Sequence, residues 1–249
     1  MKEKLTETYN KLAKDYELHV DTQSGFNAYY ERPAMMRLLP DQMEGLSVLD
    51  AGCAAGWYTE QMIRRNAQVT AIDLSPEMVE ACRRRVGERA RLLACDLTDE
   101  LPFEDASFHY IVSSLTLHYI ENWTATFKEF SRVLKPGGRL LFSVHHPFMD
   151  FKHFDRPDYF ARELLSEIWN KQEAGPVEVS FYRRPMQEIV SVTAAEFKVC
   201  KLVEPQPNLA QVESASSSIW RDKWYDYLMQ NPHFLIMLAE KSDGQRAAD

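Results

Sequence analysis

The hydrophobic positions of this chain change period several times. Near the N-terminus Leu5, Tyr9, Leu12 and Tyr16 recur at spacings of four, three and four, which gives a helix one apolar and aromatic stripe. From Ser47 onward the pattern alternates. "SVLDAGC" predicts a strand, Trp57 to Asn66 a helix, "QVTAIDL" a strand, Pro76 to Gly87 a helix, and "ARLLACD" and "HYIVSSL" two further strands. Asn122 then offers an N-cap to a helix with Trp123, Phe127, Phe130 and Leu134 on one face, stopped by Pro-Gly-Gly before the strand "RLLFSVH". Strands separated by helical runs imply right-handed βαβ units and a parallel sheet.

Residues Pro147 to Pro185 break this rhythm. Eight aromatic side chains fall in the 35 residues from Phe148 to Tyr182, about twice the chain's overall aromatic share of 12%, so this insertion is expected to pack on the body. Beyond it "MQEIVSVTAA" predicts a helix and "FKVCKLVEP" and "HFLIMLAEK" two strands, seven in all. The expected organisation is a single domain in 1–249, with a helical cap over 1–40, a lid over 147–185 and a frayed polar tail over 241–249.

Composition narrows the class. A length of 249 residues suits one well-buried core, and 45% hydrophobic with 27% charged residues is ordinary for a globular protein. A net charge of −8 and a pI near 5.5 oppose nucleic-acid binding, which wants a basic face. Arg83 to Arg85 fall in a predicted helix and read as a solvated face. The first residues lack the apolar core of a signal peptide, and no stretch approaches the roughly 20 apolar residues of a membrane span, so a cytoplasmic protein is expected. Cys53, Cys82, Cys95 and Cys200 lack metal-ligand spacing, which predicts free thiols and no structural metal.

The candidate chemistry lies in "LDAGCAAGW", Leu49 to Trp57. In a doubly wound sheet the glycine-rich turn after the first strand faces the ligand edge, and Gly52 and Gly56 let backbone N–H groups approach a ligand there. Asp73, ending the second strand, follows Gly52 by 21 residues, a spacing that suits a carboxylate accepting from ribose hydroxyls. Asp50 would repel the pyrophosphate of a nicotinamide dinucleotide, and the turn departs from G-x-G-x-x-G, which argues against an oxidoreductase. Asp50 suits instead an α-amino group, met directly or through water. With Asp96 at the third strand end, the three acids match S-adenosylmethionine better than a dinucleotide.

The ordered series "YNKLAKDYE", "NAYYERPAM", "VLDAGCAAGWYTE", "VTAIDLSPEMVEAC", "CDLTDELPFEDASFHYIVSSLTLHYIENW", "LKPGGRLLFSVHHPF", "FYRRPMQEIV" and "LVEPQP" resembles the class I S-adenosylmethionine-dependent methyltransferases over nearly the whole chain. The likeness is to the bacterial small-molecule branch of ubiquinone/menaquinone-methyltransferase type. It departs at Ala54, where the family more often has glycine in D-x-G-x-G-x-G. The resemblance implies an α/β fold: a doubly wound, seven-stranded Rossmann-like sheet, mostly parallel with an antiparallel last strand and helices on both faces. It further implies that Gly52, Cys53, Ala54 and Gly56 line the methionine end and that Asp73 holds the ribose. Leu74 and Met78 would sandwich adenine, Asp96 and the Leu97 amide would contact it, and Ser113 would face the methionine portion.

Methyl transfer from a sulfonium asks the protein only to exclude water, align the nucleophile and accept a proton where one leaves. Candidate bases are His118 and His146, with His145 the weaker candidate of the doublet. Tyr9, Tyr16, Tyr29, Tyr30 and Arg32 are positioned to close over the cofactor, Tyr16 foremost. Trp220, Trp224, Tyr225 and Tyr227 join the insertion as candidate pocket rings. Arg183 and Arg184 offer a fork for a carboxylate or phosphate, or else plain surface charge. The expected activity is methylation of a small molecule, S-adenosylhomocysteine being the co-product, by a monomer or homodimer. A tRNA-modifying enzyme and a binding protein without turnover are the alternatives.

Overall fold

The computed structural model describes residues 2–208 and 218–242. The side chain of Trp220 and residues 243–249 of the expected tail lie outside the described residues. The N-terminal stripe forms α1 (Lys2–Leu18), followed by α2 (Val20–Gln23), a π-helical turn at Asn27–Glu31 and α3 (Arg32–Met36). The alternating region follows as β1 (Ser47–Ala51), α4 (Trp57–Arg64), β2 (Gln68–Asp73), α5 (Pro76–Val86), β3 (Ala90–Ala94) and β4 (Phe108–Ser114). Next come α6 (Trp123–Val133), β5 (Leu134–His145), α7 (Pro147–His153), β6 (Glu163–Lys171) and β7 (Gly175–Arg183). The chain ends in α8 (Met186–Glu196), β8 (Phe197–Val203), α9 (Ser218–Gln230) and β9 (Phe234–Lys241).

Seven strands form one sheet in the order β3-β2-β1-β4-β5-β9-β8. All are parallel except β9, which runs antiparallel to both β5 and β8. The expected α/β sheet with its antiparallel last strand is therefore present. Val48, Leu49 and Ala51 of β1 are buried on both faces, as an interior strand of a sheet covered by helices must be. One cluster joins Leu49, Ile111, Phe142 and Met237 to the ring face of α6, and another joins Val48, Val112 and Leu141 to α3 and α4. Asn122 caps α6 by accepting from the Thr124 N–H at 3.0 Å, as predicted. Leu134, expected on the helix face, instead opens β5 opposite Phe108.

The insertion holds more order than its sequence announces. It consists of α7 and a separate two-stranded hairpin, β6 with β7, in register from Glu163↔Arg183 to Lys171↔Gly175. The hairpin turn is tied to α1 by Asp15. Its buried carboxylate accepts backbone N–H bonds from Gln172, Glu173 and Ala174 at 2.9–3.1 Å. Leu12 and Ala13 of α1, Met78 of α5 and Val177 and Val179 of β7 form a further cluster, so α1 is wedged between sheet helix and hairpin. Among the described residues no helix is long and apolar enough to cross a membrane, and no group of three or more His, Cys, Asp or Glu is placed to hold a metal ion.

Candidate active site

At the carboxyl edge of the sheet the β1–α4 turn takes its shape from two residues in the left-handed region that carry no side chain. Gly52 has φ 88° and Gly56 φ 81°. A Cβ on Gly52 would run into the side chain of Thr116, just beyond β4, and one on Gly56 into Cys82 of α5. Both positions demand glycine for conformation and for space. Ala54 lies between them at φ 46°, a conformation that costs an L-side chain energy.

The turn is held to the second strand end by Asp73. One carboxylate oxygen accepts from the Ala54 N–H and the other from the Ser75 N–H, each at 2.9 Å. Burial raises the Asp73 pKa to about 6 against the pull of these backbone bonds. Asp50 is more enclosed. It accepts from the Thr59 hydroxyl at 2.6 Å, and burial pushes its pKa up to about 7. Asp96, at the third strand end, accepts from the Thr98 N–H and hydroxyl at 2.8 Å and pairs with Lys2 of α1 at 2.6 Å. Its burial works upward, but the Lys2 and Thr98 bonds outweigh it and leave the pKa below the usual value.

A cavity of about 650 Å³ opens over these strand ends. Its walls bring together nine of the residues singled out from sequence: Tyr16, Gly52, Cys53, Ala54, Asp73, Leu74, Asp96, Leu97 and His118. Five others stand behind the wall. Asp50 faces Thr59, Gly56 begins α4, and Met78 lies in the α1–hairpin cluster. Ser113 donates to the Ala51 carbonyl at 2.8 Å.

The fifth, His146, differs from the expectation of a base at the mouth of the site. Its Nδ1 accepts from the Phe148 N–H at 3.1 Å, capping α7, while Nε2 meets Glu204 at 2.8 Å. With both ring nitrogens engaged in structure, neither is available to a substrate. Arg183 and Arg184 also depart from the surface reading, for both are buried. Arg183 binds Glu163 and the carbonyls of Asp158, Tyr159 and Ala161, stapling the start of the hairpin. Arg184 donates to the Ile120 carbonyl at 2.6 Å and lies over the Trp123 ring, and burial lowers its pKa to about 10.

The far half of the cavity is a chamber of rings. Tyr16 touches Tyr9, Tyr9 touches Tyr119, and Tyr119 touches His118, centroid to centroid at 4.4–6.1 Å. His118 stacks on His145 at 4.1 Å, and beyond them Phe181, Phe234, His233 and Phe26 continue the lining. Trp224 and Tyr227 of α9 reach it, whereas Tyr225 packs in a cluster with Tyr29 and Tyr30. Sequence reasoning missed His233 and Asp150, and placed His145 last among the histidines. The signal for His145 and Asp150 was present only as polar residues, with His146 a third, in the otherwise apolar run from Val144 to Phe151.

Residues 49–142 match the model of a methyltransferase domain family. The matched segment runs from β1 into β5 and includes the Gly52 turn, Asp73 and Asp96. The chain is similar to a malonyl-[acyl-carrier protein] O-methyltransferase from Erwinia pyrifoliae, 33% identical over 57% of this chain and 52% of that one. The chain thus spans about half the length of such a relative. It is also similar to a demethylmenaquinone methyltransferase from Tropheryma whipplei, 29% identical over 76% of this chain and 78% of that one. Among solved structures, an S-adenosylmethionine-dependent methyltransferase of Mesorhizobium loti shares the fold, with a TM-score of 0.66 at 24% identity, covering 85% of this chain and 97% of that one.

Proposed function

We propose that this chain transfers a methyl group from S-adenosylmethionine to a small-molecule acceptor. The observation that carries the reading is that the Gly52 turn, Asp73 and Asp96, from three successive strand ends, share one cavity with a ring-lined chamber. The residues fit an adenosyl amino acid. Asp73 spends one lone pair per oxygen on backbone N–H groups and keeps others for a ribose diol. Leu74 and Leu97 flank the place for adenine, and Asp96 exchanges Lys2 for its amino group. Arg32 lines the wall paired with Asp21 at 2.9 Å, over the Trp57 ring, and supplies the fork for a carboxylate. Asp50 acts from behind the turn by holding Thr59 and α4 in place. The cofactor brings an activated methyl group. The chain's part is to bind it, exclude water and orient the acceptor.

The test is titration calorimetry with S-adenosylhomocysteine. Binding in the micromolar range is expected, weakened at least tenfold, about 1.4 kcal/mol, by Asp73→Ala. Heat-free titrations with both S-adenosylhomocysteine and S-adenosylmethionine would refute the proposal.

A further inference from the structure

We propose that His145 is the base of this site, that Asp150 positions it, and that the acceptor is a neutral hydroxyarene, a planar ring bearing an O–H group. The inference rests on the methyltransferase reading above. His145 ends β5 and lines the cavity, and its Nδ1 lies 3.5 Å from Oδ1 of Asp150, one turn into α7. That carboxylate is 2% exposed. Neither Nδ1 of His145 nor Oδ1 of Asp150 is hydrogen-bonded among the described residues. The separation is of the kind that shortens when a substrate completes a site. A carboxylate beside Nδ1 keeps the proton there, so Nε2, across the ring, is the basic nitrogen.

The surroundings agree with this assignment. His118 stacks on the His145 ring with neither of its own nitrogens hydrogen-bonded among the described residues, and Phe181 meets His145 edge-on at 4.6 Å. Charged and titratable groups face His145 from each element around it: Asp150 from α7, His118 from the turn after β4, Arg184 from the end of β7 and His233 from the start of β9. Burial keeps His118 and His233 neutral, so of these groups Asp150 is the counterion placed to balance a proton on His145.

The chemistry follows in two transfers. The acceptor O–H gives its proton to Nε2 of neutral His145, and the imidazolium is balanced by Asp150. An electron pair of the acceptor oxygen then forms the bond to the methyl carbon as the carbon–sulfur bond breaks. That bond's electrons stay on sulfur, which leaves a neutral thioether and a methyl aryl ether, and His145 returns its proton to solvent. A carboxylate acceptor is already ionised and needs no base, so an Asp–His pair points to an O–H that is neutral at physiological pH. The walls suit a flat ring: Phe26, Phe154, Trp169, Phe181, Trp224 and Phe234 all face the cavity.

The experiment uses the full chain loaded with S-adenosylhomocysteine and the chromogenic probe 4-nitrophenol, whose ionisation is read from its phenolate absorbance. Bound probe is expected to ionise at least one pH unit below free probe. His145→Gln should abolish this shift and Asp150→Asn should reduce it by at least half, with S-adenosylhomocysteine affinity within twofold of wild type in both. An unshifted bound probe, a shift that survives in His145→Gln, binding of 4-nitrobenzoate in place of 4-nitrophenol, or binding of neither probe would overturn the assignment. Failure to bind S-adenosylhomocysteine at all would instead remove the methyltransferase reading on which it stands.

Discussion

Ala54 occupies a backbone conformation for which glycine is the natural choice, at φ 46° between two glycines that the turn cannot replace. The left-handed region costs an L-residue roughly 1–2 kcal/mol, and glycine gives back about 0.4–1 kcal/mol through its looser unfolded chain. Ala54→Gly is therefore expected to stabilise the protein by about 0.5 kcal/mol in urea titration. A loss instead would mean that the methyl group's packing against the Met78 cluster outweighs the relief of the backbone. The same scale explains what could be read beforehand. Asp73 and Asp96 were legible because each closes a β-rich run that a helical or polar run follows. The His145-His146 doublet was not. His145 is the last residue of β5 and His146 the cap of α7, so which histidine meets the cavity depends on where the strand stops and the helix starts, and a doublet of identical residues carries no mark of it.

Asp15 gives α1 a role that its apolar stripe does not reveal. Three backbone donors of the β6–β7 turn converge on one buried carboxylate, and hydrogen bonds to a charged acceptor contribute about 1.5–3 kcal/mol each where water is excluded. Asp15→Ala is expected to free the turn. Hydrogen exchange at residues 172–174 should accelerate by at least tenfold, while the amides of β1 and β4 keep their protection. Equal acceleration in the central strands would show that the contact supports the whole fold rather than the hairpin. In sequence Asp15 is one of many polar residues on a charged helix. The hairpin hid for a related reason: Leu164 and Ile168 are exposed apolar residues, 47% and 66%, while Glu163 and Glu167 share the inner face with Leu165 and Trp169, so each face of β6 mixes apolar and polar residues and the usual inside-outside alternation is blurred.

Over the whole molecule, buried carboxyl and imidazole groups set opposing pH responses. Burial raises Asp50 to about 7 and Asp73 to about 6, and raises Glu31, which three hydroxyls bind at 2.5–2.9 Å. Unfolded carboxyls ionise near pH 4. Between about 4 and 7 the folded state thus holds protons that the unfolded state has lost, and this contribution to stability falls as pH rises. Buried His118, His146 and His233 have lowered pKa values, the last to about 3, and destabilise the fold as pH drops below about 6.5. The two sets oppose each other in Tm, but ligand binding isolates one of them. If ribose hydroxyls donate to ionised Asp73, the rise in Tm from saturating S-adenosylhomocysteine should be larger at pH 8 than at pH 5.5, measured by differential scanning calorimetry. An increment independent of pH would deny Asp73 that role.

The seven-stranded, mostly parallel sheet was legible from the alternation of strand and helix, yet the reversed direction of β9 matters beyond topology. Every parallel strand delivers its end to the ligand edge. Strand β9 delivers its beginning, so His233 and Phe234 arrive beside His145, whose partner in the ladder is Phe234. The half of the cavity over the Gly52 turn consequently draws its strand-end residues from positions 52–97, and the ring-lined half draws heavily on positions 118–234. Two vocabularies are written in separate stretches of the chain. Under the proposed function, swapping rings around α7, the hairpin and α9 would rewrite the later one for a new acceptor and leave the residues assigned to the methyl donor as they stand.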